Sequence, residues 1–294
     1  MNFKKIYIVL LLLLSFGAKA SMILVPMDET SQKNHLKAYG ITYWVLSKSY
    51  KANWLLNYRG GSFLLPDSQE IRRECQIRGV SFEVLSDGQA NSILDEISSP
   101  SQNMENVLLE KAPKVAVYTP PGKKPWDDAV TLVLTYAEIP FTPIYDEEVL
   151  TDGLLLYDWL HLHHEDFSGQ YGKFFGAYRN APWYIEQKQD AEKLAAKLGY
   201  KKVSQEKLAV AKKIRDFVIG GGFMFAMCSA TDSFDIALSA EGVDICEPMF
   251  DGDPSEANYQ SRIDYNSTFA FKDFTLERNP IVYELSLIHI SEPT

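Results

Sequence analysis

Cysteine, histidine and carboxylate are the side chains here best suited to covalent hydrolysis, and two short segments concentrate them. The first runs from Gly220, Gly221 and Gly222 through the apolar stretch 223–227 to Cys228, Ser229, Ala230, Thr231 and Asp232. An apolar strand entering a small-residue turn and then a helix lifts the turn residue off the sheet edge. A helix amino terminus there favours the thiolate, which is the nucleophile. Backbone N–H groups of such a turn can also hold a developing oxyanion. Cys228 is therefore the expected nucleophile, and Ser229, Thr231 and Asp232 are expected to meet substrate. The other reading of Cys228 is a buried structural thiol, a common fate for cysteine.

The second segment places His161, His163, His164, Glu165 and Asp166 at the end of an apolar, aromatic stretch. On an extended strand His161, His163 and Glu165 share one face. That set can bind Zn²⁺ or a similar divalent ion, giving a metal-dependent hydrolase. Alternatively His163 or His164 activates Cys228 as a base, with Glu165 or Asp166 orienting it; no cofactor is then required. A polar strand end with satisfied histidines is the third reading.

Weaker signals are spread along the chain. Arg59 precedes Gly60 and Gly61, which read first as a plain hairpin-like turn and second as a loop that could hold a substrate carboxylate or phosphate. Asp127 and Asp128 read as helix-dipole compensation. Asp146, Glu147 and Glu148 read as solvated loop charge. Asp251, Gly252, Asp253 and Pro254 resemble a short calcium-type turn. Cys75 and Cys246 are expected as a possible disulfide pair.

The elements that must position these groups alternate between strand and helix. Apolar strands are expected at 22–27, 54–58, 63–65, 80–85, 115–118, 141–145, 157–163 and 223–227. Helices are expected at 32–47, 68–77, 87–97, 126–137, 181–198, 204–218 and 232–240. Residues 98–111 lack periodicity and read as a linker. The alternation implies an α/β fold with a mostly parallel sheet and helices on both faces. A smaller α/β unit over 21–111 precedes a larger one over 112–284. Ligands in such sheets sit beyond the carboxyl ends of the strands, where both chemical segments lie.

Both ends are expected to lie outside the mature fold. Lys4 and Lys5, the apolar run 6–14 and Ala18-Lys19-Ala20 have the pattern of a secretory signal cut after Ala20. That predicts a periplasmic or secreted protein with no membrane span after cleavage. Residues 285–294 resemble a translated sequencing-library adapter, so His289 is left out of the site, and the tail is expected to pack against nothing. The larger unit is then expected to be truncated. Across 294 residues, 46% are hydrophobic and 23% charged, which excludes a disordered chain. The net charge of −10 becomes −13 once Lys4, Lys5 and Lys19 are removed, which excludes a nucleic-acid backbone partner. Three cysteines are too few for a disulfide framework. A small-molecule substrate is expected, and the oligomeric state is left open.

The run 220–234 resembles the glycine-rich strand and turn of the trehalose-utilisation (ThuA-like) proteins, within the class I glutamine amidotransferase-like fold. That resemblance implies a flavodoxin-like sheet over roughly 113–250 and a small polar or carbohydrate-related substrate. It also implies amide hydrolysis through a thioester, or a glycan-binding protein that kept the fold and lost the chemistry. True amidotransferases carry Cys at this turn between glycines; here Ala226 and Ala230 stand there. The catalytic His of that class follows the Cys, and none follows Cys228 before the tail. Over nearly its whole length the chain also resembles exported Bacteroidetes proteins labelled asparagine synthetase B. Its residues argue against that chemistry. Signal removal exposes Ser21 rather than a cysteine, and residues 229–233 lack the two glycines of an ATP-binding Ser-Gly-Gly-x-Asp-Ser loop.

Overall fold

The computed structural model describes residues 21–121, 129–163, 165–170 and 174–279, and the backbone of 288–289. The export segment, Asp127, Asp128 and His164 lie outside the described residues. The chain divides into two compact units: Met1–Ala112 with Leu132–Ile139, and Pro113–Thr131 with Pro140–Thr294.

In the first unit the order is β1 (Ser21–Val25), α1 (His35–Ser47), β2 (Ala52–Leu56), β3 (Ser62–Pro66), α2 (Gln69–Ile77), β4 (Glu83–Ser86), α3 (Asp87–Ile97) and β5 (Glu105–Leu109). Side chains alternate across β1. Ile23 and Val25 join Ala38, Ile41 and Val45 of α1 and Ile71 and Cys75 of α2. Leu24 joins Leu55, Leu64 and the α3 residues Ala90 and Ile97. Period-two alternation against helices on each side fixes the register. Helix α2 starts where the Ser68 hydroxyl accepts from Ile71 N–H, and Ser86 with Gln89 forms a capping box on α3.

The sheet of this unit, in order β4-β1-β3-β2-β5, is antiparallel throughout, not parallel as the helix–strand alternation suggested. Helix α1 carries the chain over the sheet, but β2 then turns straight back into β3 as a hairpin. Residues 98–111 are not a plain linker, because β5 within them pairs with β2, from Ala52↔Leu109 to Leu56↔Glu105. A strand on the sheet edge keeps one side in water, so it reads as polar and aperiodic.

Helix α4 (Ala129–Ala137) follows β6 (Val115–Tyr118) in the chain, yet from Leu132 onward it clusters with the first unit. There Gly40 of α1 lies against the Ala137 backbone, where a Cβ would stand 1.8 Å from the carbonyl oxygen.

The second unit continues with β7 (Phe141–Ile144), α5 (Asp146–Leu150), β8 (Trp159–Leu162), α6 (Phe175–Tyr178), α7 (Pro182–Lys197), α8 (Val203–Ile219), β9 (Phe223–Ala226), α9 (Ala230–Ser239) and α10 (Pro248–Asp251). Its four strands are parallel in the order β7-β6-β8-β9, with His161↔Phe225 and Leu162↔Ala226 in register. One face of the sheet is covered. Ala116, Tyr118, Leu160 and Leu162 pack against Val210, Ala211, Ile214 and Phe217 of α8 and Phe234 and Ala237 of α9. On the other face of the edge strand, Phe223 and Phe225 are 56% and 47% exposed. The described residues thus do not cover β9 on both sides, as helices on both faces would require.

Beyond α9 the chain folds back over that helix, burying Ile263, Phe274 and Leu276 against Ile236 and Val243. The Asp235 carboxylate anchors this return by accepting from the N–H groups of Phe269 (2.8 Å), Ala270 (2.8 Å) and Phe271 (2.9 Å). The short β10 (Thr275–Leu276) then pairs antiparallel with β11 (Ile288–His289). The expectation that the tail meets nothing is corrected there, because an unpaired strand edge accepts any extended backbone.

Candidate functional site

Strands β8 and β9 lie side by side and parallel, so the residues after each leave the sheet together at its carboxyl edge. Met227 N–H donates to the Leu162 carbonyl at 3.1 Å, and Ala230 N–H to the His163 carbonyl at 3.3 Å. The Ser233 hydroxyl donates to the Glu165 carbonyl at 3.1 Å and accepts from Phe167 N–H at 3.2 Å. The loop after β8 and the turn after β9 are thereby stitched into one surface.

Cys228 stands on that turn with φ = +54° and is exposed. A non-glycine residue in the left-handed region carries strain of about 1 kcal/mol or more. Strand, strained exposed thiol and helix in succession match the geometry of a nucleophile elbow. The Thr231 hydroxyl donates to the Cys228 carbonyl at 2.6 Å, and Thr231 N–H reaches the same oxygen at 3.2 Å. Thr231 therefore braces the turn. Ser229 is buried at the amino end of α9, and Asp232 is buried in its first turn, where it accepts from Ser233 N–H at 2.9 Å. Replacing Cys228 by Gly removes the Cβ that makes this φ costly. Cys228→Gly is expected to raise stability by about 1 kcal/mol, read as a higher denaturation midpoint.

His163 is half-buried just past β8, where its backbone N–H donates to Glu165 Oε2 at 3.0 Å. His161 is buried within β8, stacked on Phe225 with ring centroids 5.7 Å apart. The His161 and His163 rings are 6.2 Å apart. Among the described residues, His161, His163 and Glu165 do not bring their ligand atoms within 4.8 Å of one another. Strand β8 ends at Leu162, so the strand geometry that would align the three does not extend to His163 and Glu165.

Asp244, Cys246 and Asp251 do lie that close, but a lysine ammonium already fills the cation's place. Lys202 Nζ contacts Asp244 at 2.7 Å, Asp251 at 3.0 Å and Asp253 at 2.6 Å. Burial pushes the Cys246 thiol well up, and its Sγ donates to the Ser168 carbonyl at 3.2 Å. The residues thus suit an ion-paired lysine, not a calcium-type turn. Cys75 is buried in the first unit, where burial pushes its thiol up to about 11. None of the three cysteines forms a disulfide, so the expected Cys75–Cys246 bridge is absent; each of the two is buried within its own unit.

Arg59 belongs to the first unit. Its Nε donates to Asp28 at 3.0 Å, Nη1 to Glu83 at 2.8 Å and Nη2 to the Ser31 hydroxyl at 3.0 Å. The Thr30 and Ser31 hydroxyls, then Arg59, hold the Asp28 carboxyl well below the usual carboxylate range. Every guanidinium nitrogen is engaged inside this loop, so Arg59 is a clasp, not an open anion site.

The sequence reading missed a buried polar cluster at the same carboxyl edge. The Tyr118 hydroxyl at the end of β6 donates to Asp146 Oδ1, just after β7. Lys207 of α8 donates to Asp146 Oδ2 at 2.6 Å, to the Tyr118 hydroxyl at 3.0 Å and to the Tyr145 hydroxyl at 3.2 Å. Asp146 and Lys207 are 1% and 6% exposed, so Asp146 is no solvated loop charge. Glu148 accepts from Tyr145 N–H, and Glu147 pairs with Lys197 at the surface. One signal was present in the sequence: Glu206 and Lys207 interrupt the apolar stripe Val203, Val210, Ile214, Phe217 at helical spacing.

No helix among the described residues is long and apolar enough to cross a membrane. No protein-family model, curated protein or solved structure matches this chain.

Proposed function

We propose that the second unit is a cysteine-dependent amide hydrolase of the class I amidotransferase-like type, acting in the periplasm or outside the cell on a small polar or carbohydrate-related substrate. One observation carries the reading: Cys228 is exposed and held at φ = +54° between a parallel strand and a helix. The strand order β7-β6-β8-β9 corresponds to 2-1-3-4, the start of the flavodoxin-like order. Its switch point lies between β6 and β8, and His163 and Glu165 leave the sheet beside it. Cys228 Sγ attacks the amide carbon as His163 takes the thiol proton. That proton passes to the departing nitrogen as the C–N bond breaks, leaving a thioester. Water then adds to the thioester, the C–S bond breaks and the thiol is regenerated. The Glu165 carboxylate accepts from the His163 backbone N–H and so braces the loop that carries the histidine.

Iodoacetamide and p-nitrophenyl acetate, followed by intact mass, test this. At pH 7 a single adduct is expected on Cys228, forming faster than on glutathione and absent in Cys228→Ser. His163→Asn is expected to keep the site accessible but to slow acylation by about 10²-fold. Modification of Cys228 at the glutathione rate, unchanged by His163→Asn, would overturn the hydrolase and leave a binding protein on the same fold.

A further inference from the structure

The cluster around Lys207 holds one cation and two acids in a space closed to water. Lys207 has three ammonium protons, and Tyr118, Tyr145 and Asp146 take all three. Asp146 has both oxygens engaged, Oδ1 by the Tyr118 hydroxyl and Oδ2 by Lys207. Glu206, the neighbour of Lys207 on α8, is 1% exposed, and its Oε1 has no hydrogen-bond partner. Its carboxyl faces that of Asp146, with Lys207 beside both. Two carboxylates cannot share a hydrogen bond without a proton between them. The donor count therefore leaves Glu206 one satisfied form, the neutral acid that donates its own proton to Asp146.

The groups facing this pair come from every packed element. Tyr118 comes from β6, Tyr145 and Asp146 from the β7–α5 junction, and Lys207 from α8 itself. Asp166 from the loop after β8 feels Lys207 and Asp232 of α9. Beyond Lys207 these are acids or phenols. Lys202, which precedes α8 and lines the adjoining cavity, is already paired with Asp244, Asp251 and Asp253, so an ionised Glu206 would meet no second cation without breaking those pairs. The first turn of α8 also borders a cavity of about 270 Å³, lined by Ser204, Gln205 and Leu208 among others. That cavity adjoins the amino end of the same helix.

We propose that Glu206 is a proton-gated latch: neutral, it closes the amino-terminal turns of α8 onto Asp146 and the ends of β6 and β7; ionised, it loosens those turns toward the adjoining cavity. The proposal is independent of any role for Cys228. Burial first, then the Asp146 charge, push the Glu206 carboxyl up to about 8, against an ordinary value of 4.5. A group raised in the folded state contributes stability that is full below its unfolded value. That stability is lost as pH climbs through the folded value, here between pH 5 and pH 8 or slightly beyond.

Hydrogen exchange of the full chain at pH 6, 7.5 and 9, corrected for intrinsic rates, tests the latch in wild type and Glu206→Gln. Wild-type protection over α8 is expected to fall by about tenfold or more across that range, while Glu206→Gln stays level. Glutamine mimics the neutral acid, so the variant is expected to fold at all three pH values. Failure of Glu206→Gln to fold would show that the carboxylate is the native form and overturn the proposal. Parallel pH profiles in the two proteins would also overturn it. Asp146→Asn gives an independent arm: Glu206 then ionises as the counter-charge of Lys207, and the pH-dependent loss is expected to vanish. Its persistence in Asp146→Asn would count against the latch.

Discussion

Lys207→Met is expected to lower the unfolding free energy by about 3–5 kcal/mol, read as a shift of the urea midpoint at pH 7. The methionine fills much of the lysine volume, so the loss is electrostatic. Asp146, 1% exposed, is left charged among Tyr118, Tyr145 and apolar side chains with its Oδ2 partner gone. Breaking a buried pair costs far more than the pair itself contributes, because the surviving ion keeps its desolvation penalty. One further measurement separates this from lost packing. Replacing both partners, Asp146→Leu with Lys207→Met, is expected to recover most of it. A single variant as stable as wild type would show that the ion pair carries no such burden.

Gly40→Ala is expected to cost about 3 kcal/mol and to detach α4 from α1, seen as lost hydrogen-exchange protection over Leu132–Ile139. The added methyl would stand 1.8 Å from the Ala137 carbonyl oxygen and 2.9 Å from its carbon. Both atoms are backbone, so no side chain can swing away and the helix itself must move. The pairs formed by Glu138 with Lys37 and with Arg78 would be strained by the same displacement. Gly88 in α3 is the control, since nothing lies within 4 Å of its added Cβ. Gly88→Ala is expected to stabilise by roughly 0.5–1 kcal/mol, because alanine loses less backbone entropy in a helix. The same chemical change in two helices of one unit should thus have opposite signs. A neutral Gly40→Ala would mean that the two helices do not approach this closely.

Much of the secondary structure was legible because periodicity is written locally. The α3 boundaries 87–97 and the β6 boundaries 115–118 follow directly from spacing and caps. Pairing was less legible. The alternation of helix and strand implied parallel neighbours, but β1 pairs with β3 and β4 on either side, and both run opposite to it. Direction depends on which strand a chain returns to, a long-range fact that local spacing does not encode. The site divided in the same way. Cys228 announced itself through a local pattern, an apolar strand followed by small residues. The Asp146–Lys207 pair joins positions 61 residues apart, so neither partner looked unusual beside its own neighbours. Asp146 sat in a run of three acids that resembled any surface loop, yet one of the three turned inward.

The chain path has a consequence for the order of events during synthesis. The first unit consists of Met1–Ala112 and, after an excursion of nineteen residues, Leu132–Ile139. Its last piece therefore emerges from the ribosome only after β6 of the second unit has been made. Vectorial folding, in which one domain is finished before the next begins, does not suit this chain. Gly40 waits with a bare backbone for a helix encoded nearly a hundred residues later. Fragments ending near residue 112 should then expose the α1 surface that α4 covers, making them substrates for chaperones or proteases rather than a separable module.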